Sequence, residues 1–265
     1  MILKRIGIKS RSAKDIIRHF PKHNNFIELF FGAGGIYFNK PLAKNNFVND
    51  IDNDVYNLFN VVRFRKDELV SAIALMPLHE SLFTEWKTKV ETDPIWKAAR
   101  FLMLSNFSYM GKCDTLHFRT NSKPKQVILD NIDLTFEKIT NTHFMCCDFR
   151  DVLPKIAFES GKDKIRDLQN TFVYADPPYW GQTHTYQQGF TKSDTSDLFE
   201  VMVNSKVNFA ISEFDNPHIL ALAEHHGLEV ITIGERQNLK NKRTEILVVN
   251  YKSDALYSLF NTPSV

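Results

Sequence analysis

Cysteine is scarce in this chain, and its three cysteines do not fall into a familiar motif. Cys113, Cys146 and Cys147 are odd in number, and neither a Cys-x2-Cys pair nor a Cys/His pair has zinc-like spacing. That argues against a disulfide framework, and no metal site is expected. Adjacent thiols make poor partners for each other, so the default is buried thiols in a reducing compartment. No apolar run approaches a membrane span, and the basic, amphipathic start of the chain has no apolar signal-peptide core. A cytoplasmic protein without membrane contact is the expectation. Internal repeats and low-complexity segments are absent too. Net charge is nearly absent, since +2 is too small to argue for nucleic acid by itself.

What is present is ordinary for a soluble globular protein, with 43% hydrophobic and 24% charged residues. A length of 265 residues suffices for one sizeable core with a smaller insertion. The positive charges are unevenly spread. Lys4, Arg5, Lys9, Arg11, Lys14, Arg18 and Lys22 face only Asp15 near the start. A second set, Lys97, Arg100, Lys112, Arg119, Lys123 and Lys125, flanks an aromatic stretch, and Arg236, Lys240, Lys242 and Arg243 form a third. Each alone reads as a solvated face; together they fit a phosphate-binding surface.

Residues 171–175, Thr-Phe-Val-Tyr-Ala, are short, β-branched and aromatic, and read as a buried strand. Asp176-Pro177-Pro178-Tyr179 follows at its carboxyl end. Two prolines end strand pairing and leave the Asp176 carboxylate and nearby carbonyl oxygens facing a crevice. Open α/β sheets bind ligands in such crevices. Acceptors beside a flat ring suit a planar group bearing an NH2. The bland reading is a proline-stiffened strand exit with a packed tyrosine.

Earlier in the chain, residues 26–30 read as the first core strand, and residues 31–38, which begin Phe31-Gly32-Ala33-Gly34-Gly35, as a glycine-rich turn entering a helix. Residues 46–50 form a second strand whose terminal Asp50 lies 18 positions after Gly32. That spacing puts an acid where a nucleoside's ribose would lie. Asp52 and Asp54 are alternatives, and Asp54 is also a candidate cap for a helix over 55–65. A helix over 12–20 precedes these elements, with Gly7 and Lys9 just before it, where a loosened turn presents an ammonium to an anion.

Residues 66–140 interrupt the α/β rhythm with helices at 66–76, 78–90 and 94–106, the last capped by Asp93 and opened by Pro94. Aromatic and basic residues then surround a turn at 107–119, where Tyr109, Lys112 and Arg119 suit phosphates and unstacked bases. Ordinary hairpin packing explains the aromatics equally well. The rhythm resumes with a helix at 128–139, a strand at 142–146, Asp148-Phe149 at its end and a helix at 151–158. Asp148 reads as a helix cap, and Phe149 as plain core. Residues 180–190 read as a loop over the site, followed by helices at 195–204 and 217–226 and strands at 207–211, 228–233 and 245–251.

A glycine-rich turn, an acid 18 residues on and Asp176-Pro177-Pro178-Tyr179 together resemble the Dam-like, D12-class DNA adenine N6-methyltransferases of α-type motif order. The likeness covers nearly the whole chain. Gly7 and Lys9 match the family's N-terminal segment, with Arg5 in place of its aromatic. Phe31 to Gly35 match the cofactor loop, Asp50 the ribose acid, and Asp148 with Phe149 the segment beside the cofactor's adenine. Arg236 and the strand from Glu245 are similar to the family's closing pattern. Asn106-Phe107-Ser108-Tyr109-Met110-Gly111 is similar to its central run, with Phe107 at an Arg and Met110 at an Asn.

The resemblance implies an α/β, Rossmann-like, S-adenosylmethionine-dependent methyltransferase core over 1–65 and 141–265, with an inserted, mainly helical target-recognition region over 66–140. It implies cofactor contacts at Gly7, Lys9, Phe31, Gly32, Ala33, Gly34, Gly35, Asp50, Asp148, Phe149 and Asp176, and catalysis at Asp176, Pro177, Pro178 and Tyr179. DNA contacts are expected at Tyr109, Lys112, Arg119, Lys123 and Lys125. The expected substrate is an adenine flipped out of duplex DNA, and the expected state is a monomer or weak dimer, with a cognate restriction endonuclease as a candidate partner. N4-cytosine methylation needs the same acceptors, although Asp at 176 favours adenine by resemblance. A catalytically silent DNA-binding protein on the same fold is the alternative from another class. A nicotinamide enzyme would share the cradle, but the turn lacks Gly-x-Gly-x-x-Gly spacing and hydride transfer has no need of Asp176 to Tyr179.

Overall fold

The computed structural model describes residues 1–5, 7–118, 120, 123–158, 162–179, 189–237 and 242–253. In chain order the elements are α1 (Ala13–Ile17), β1 (Asn25–Glu28), β2 (Asn45–Asn49), α2 (Asn53–Phe64), α3 (Lys66–Leu75), α4 (Glu80–Thr88), α5 (Pro94–Asn106) and α6 (Pro124–Ile139). They continue with β3 (Thr142–Met145), α7 (Lys162–Gln169), β4 (Thr171–Ala175), α8 (Lys192–Asn204), β5 (Asn208–Phe214), α9 (Pro217–His225), β6 (Glu229–Gln237) and β7 (Lys242–Val249).

The described strands form one seven-stranded sheet in the order β3-β2-β1-β4-β5-β7-β6. Neighbours from β3 through β5 are parallel, and β7 runs antiparallel between β5 and β6. The two central strands, β1 and β4, are buried along their whole length, as parallel strands covered on both faces must be. Strand alternation divides their side chains between two cores. Phe26, Phe172 and Tyr174 join Val55, Phe59, Ala98 and Ile128 on one face, while Ile27, Val173 and Ala175 join Leu198, Phe199, Met202 and Ile219 on the other.

After β1 the chain moves outward to β2; on the other side β1 pairs with β4. Strand order reverses there, and a crevice opens at the carboxyl ends of β1, β2 and β4. Helices α3, α5 and α6 of the 66–140 segment contribute Leu69, Ile73, Leu102 and Ile132 to the same core as β1 and β4. A smaller cluster of Met76, Phe83, Trp86, Met103, Leu104 and Phe107 lies beside it. No described helix is long and apolar enough to cross a membrane.

Two expected helices are absent as such. The segment 31–38 holds only a 3-10 turn at Tyr37–Asn39, because Gly32 and Gly34 take positive φ and Pro41 follows at once. The segment 151–158 holds 3-10 turns at Phe149–Asp151 and Leu153–Lys155, where Pro154 lacks the donor that a longer helix would use. The expected loop at 180–190 falls on residues 180–188, outside the described residues.

Helix α5 starts where expected, because Asp93 accepts hydrogen bonds from the N–H groups of Ile95 at 2.9 Å and Trp96 at 3.0 Å, with Pro94 at the first helical position. Asp93→Ala is expected to lower stability by about 1 kcal/mol in urea titrations. An unchanged midpoint would mean that the start of α5 is held by packing alone.

Candidate active site

Each strand that ends at the switch point delivers an acid to one cleft of about 900 Å³. Glu28 ends β1, Asp50 follows β2, Asp148 follows β3 and Asp176 follows β4, and all four line it. Gly7, Lys9, Phe31, Gly32, Ala33, Gly35, Phe149 and Pro178 line it as well. A volume of this size, walled by apolar rings and a few convergent polar groups, suits a ligand of nucleoside size.

The glycine loop is shaped by two different demands. Gly32, at φ +52°, has open space where a Cβ would stand, so its bare backbone faces the cleft. Gly34, at φ +70°, sits behind that surface, where a Cβ would lie 2.5 Å from the Phe38 ring. Asp50 braces the loop: its Oδ2 accepts from the Gly32 N–H at 2.6 Å and its Oδ1 from the Asp52 N–H at 2.9 Å. Burial pushes the Asp50 carboxyl up, against the opposing pull of Arg5 and of those two N–H groups. Asp52, rather than Asp54, caps α2 and also meets Arg5 at 2.9 Å.

Lys9 is 2% exposed. Its ammonium lies 2.5 Å from Glu245 Oε1, 3.2 Å from Asp176 Oδ1 and 4.6 Å from the centre of the Tyr179 ring. Expected at an anionic ligand, it is instead held by two carboxylates of its own chain. Tyr179 packs against Phe214 at 4.5 Å, and its hydroxyl is buried without a hydrogen-bond partner. Pro177 is buried behind the cleft wall. At the opposite end, Asp148 caps a 3-10 turn by accepting from Arg150 N–H at 2.9 Å, and it also pairs with the Arg150 guanidinium at 3.1 Å. The guanidinium stacks over Phe149 and reaches Asp194 and Asp197. Both readings of Asp148 are therefore compatible: it caps, and it stands on the cleft wall.

Of the residues expected to meet nucleic acid, Lys112 is exposed on the cleft rim and Tyr109 is exposed beside His117. Lys123 is exposed beside a second groove lined by Phe107 and Phe118. Lys125 donates to the carbonyls of Ala74 at 2.6 Å and Met76 at 2.9 Å, so its ammonium caps the end of α3. Arg119 lies outside the described residues.

Sequence reasoning missed Glu28. Its carboxyl is 2% exposed, and its Oε2 has no hydrogen-bond partner. Burial, then repulsion by Asp176, raise its pKa well above the ordinary range. The available signal was a charged residue inside the apolar run 26–30. Glu213 in β5 and Glu245 in β7 are buried in the same way.

Residues 6–239 match the family model described as D12 class N6 adenine-specific DNA methyltransferase. Among curated proteins, the chain is 28% identical over 235 residues to the DNA adenine methylase of Escherichia coli (strain K12), covering 80% of each chain. It is 27% identical over 275 residues to the DNA adenine methylase of Serratia marcescens, covering 93% of this chain and 97% of that one. Among solved structures, an rRNA methylase from Streptococcus thermophilus aligns over 91% of this chain and 95% of that chain, at 9% identity and a TM-score of 0.39.

Glu28 has a folded pKa above its ordinary 4.5, so its contribution to stability is full below that value and is lost as pH rises toward the folded pKa. Glu28→Gln is therefore expected to gain stability relative to the wild type between pH 5 and pH 8, by on the order of 1 kcal/mol in urea titrations without added ligand. An equal difference at both pH values would show that this carboxyl does not titrate differently on folding.

Proposed function

Because the chain belongs to the D12 class of N6 adenine-specific DNA methyltransferases, we propose that its cleft binds S-adenosylmethionine along the strand ends and receives a flipped adenine beside Asp176. The protein is an S-adenosylmethionine-dependent DNA adenine methyltransferase, and its substrate is double-stranded DNA. The observation that carries the site assignment is the position of Asp176: on the wall of the cleft, at the end of β4, with a buried ammonium 3.2 Å from its carboxylate.

The residues present suit the cofactor. The buried, unpartnered Oε2 of Glu28 suits the ammonium of an amino-acid tail, and the open face of Gly32 suits a close backbone approach. Asp50 is assigned to the ribose hydroxyls, and Asp148 with Phe149 to the adenine ring. When bound, the cofactor supplies an electrophilic methyl group on a sulfonium.

Adenine N6 is a poor nucleophile because its lone pair is delocalised into the ring. Asp176 accepts one N6–H bond and the Pro177 carbonyl the other, which favours a pyramidal nitrogen and stabilises the positive charge growing on it. Lys9, on the cleft wall beside it, holds the Asp176 carboxylate in place, and Tyr179 offers its ring to the extruded base. Flipping costs a few kcal/mol, which basic contacts along the duplex offset. Lys112 on the cleft rim, with Tyr109, Lys123 and Arg119, is assigned to that task, and the 66–140 segment to target recognition.

Incubation with tritiated S-adenosylmethionine and defined duplexes, followed by nucleoside analysis, is expected to yield N6-methyladenine. Asp176→Asn should bind the cofactor within a few-fold of wild type and lose turnover by roughly 10²–10⁴-fold. Normal methyl transfer by this variant would remove Asp176 from the central role.

A further inference from the structure

Glu245 stands on β7 opposite Phe214 of β5 and is 1% exposed. Strand alternation puts it on the face of the sheet that Leu247 and Val249 share with Tyr174, the face against which Ile2 and Leu3 pack. There it accepts a hydrogen bond from the Lys9 ammonium at 2.5 Å, and the same ammonium lies 3.2 Å from Asp176. The two acids differ in what they face. Asp176 lines the cleft with its side chain 20% exposed, whereas the Glu245 side chain is 1% exposed and takes no part in the lining. A buried acid that does not line the cleft meets neither base nor cofactor, yet it makes the shorter contact with the cation beside Asp176.

We propose that Glu245 is a positioning residue for methyl transfer: it takes up the charge of Lys9, so that the ammonium fixes the Asp176 carboxylate without neutralising it toward the base. The proposal rests on the assignment of Asp176 above. A single ammonium between two carboxylates leaves the cluster with a net negative charge, and Asp176 is the member that presents it to the cleft. Were Glu245 neutral, Asp176 would meet the N6–H group as half of a balanced ion pair. Positive charge grows on N6 as the methyl group leaves sulfur, so an acceptor that keeps its charge stabilises the transition state more than the ground state. No bond to Glu245 or Lys9 forms or breaks. Lys9 therefore stays with its two acids when the cofactor binds, and the cofactor's own carboxylate is left to other groups.

The test compares wild type, Glu245→Gln and Glu245→Asp at one pH for kcat, KM for S-adenosylmethionine, Kd for S-adenosylhomocysteine and thermal melting. Glu245→Gln keeps the shape and an acceptor for Lys9 but drops the charge. Its kcat is expected to fall about tenfold with KM and Kd little changed, since a charge-assisted hydrogen bond is roughly twice as strong as a neutral one. Glu245→Asp keeps the charge on a shorter side chain and should lose less. A purely structural role gives the reverse order, with the isosteric Gln faster than Asp, and that order overturns the proposal. So does a folded Glu245→Gln with wild-type kcat, or a loss confined to KM. A crystal structure of wild type with S-adenosylhomocysteine needs no variant to fold: Lys9 is expected within hydrogen-bond reach of both acids, and a Lys9 ammonium that has left Glu245 for the ligand overturns the proposal. No methylation by wild type on any duplex would instead count against the enzymatic assignment.

Discussion

A buried ammonium shared by two carboxylates ties the beginning, middle and end of this chain together. Lys9 reaches Asp176 after β4 and Glu245 on β7, residues that only the folded sheet brings together. Desolvating three charges is costly, and an arrangement of this kind persists only when its geometry is well held. Much of that holding is steric. A Cβ on Gly35 would lie 2.9 Å from the Lys9 backbone nitrogen, and one on Gly111 would lie 2.9 Å from the Lys4 carbonyl oxygen. The first residues run as a strap across the glycine loop and the central turn, and Asn106 fastens it by donating to the Ile2 carbonyl at 2.9 Å. Some of the glycines therefore serve the chain's own crossing rather than the ligand.

The same sheet gathers Glu28, Asp50, Asp148 and Asp176 at one cleft. Glu28 and Asp176 repel one another, as the direction of the Glu28 shift records, and burial adds to the penalty. Without a ligand, Glu28 and Asp50 resist ionisation in this cleft. A positively charged ligand relieves both effects, so charge complementarity here comes from strain already present in the protein. Lys9 contributes differently, because from the cleft wall it orders the carboxylates of Asp176 and Glu245.

The parts legible in the sequence were those encoded locally. Strand β4 and helix α5 have the expected bounds, the first because five small, β-branched and aromatic residues precede a double proline, the second because Asp93 and Pro94 mark its start. Asp50 was legible from its distance to the glycine loop, a spacing fixed by one crossover. The partners of Lys9 and the Arg150 clasp on Asp148 were not, since these groups meet only through strand pairing and loop packing that no local pattern specifies. Lys125 looked like a free cation for the same reason, although its ammonium caps α3.

Helix α5 bears on how the 66–140 segment works with the cleft. Its Ile95, Ala98, Ala99, Phe101 and Leu102 enter the main core, Met103 and Leu104 enter the smaller cluster, and Phe101 and Leu104 also stand on the cleft wall. Arg5 stacks over Phe101 at 5.8 Å while pairing with Asp52, the cap of α2. A segment built into the core in this way does not swing as a separate body without breaking the packing that supports the glycine loop. The turn after α5 differs, because Tyr109, Lys112 and Phe118 are exposed there beside a short bridge between Ser108 and Leu116. Changing those side chains should leave the acids beneath in place, because the turn meets the cleft at its rim through Lys112.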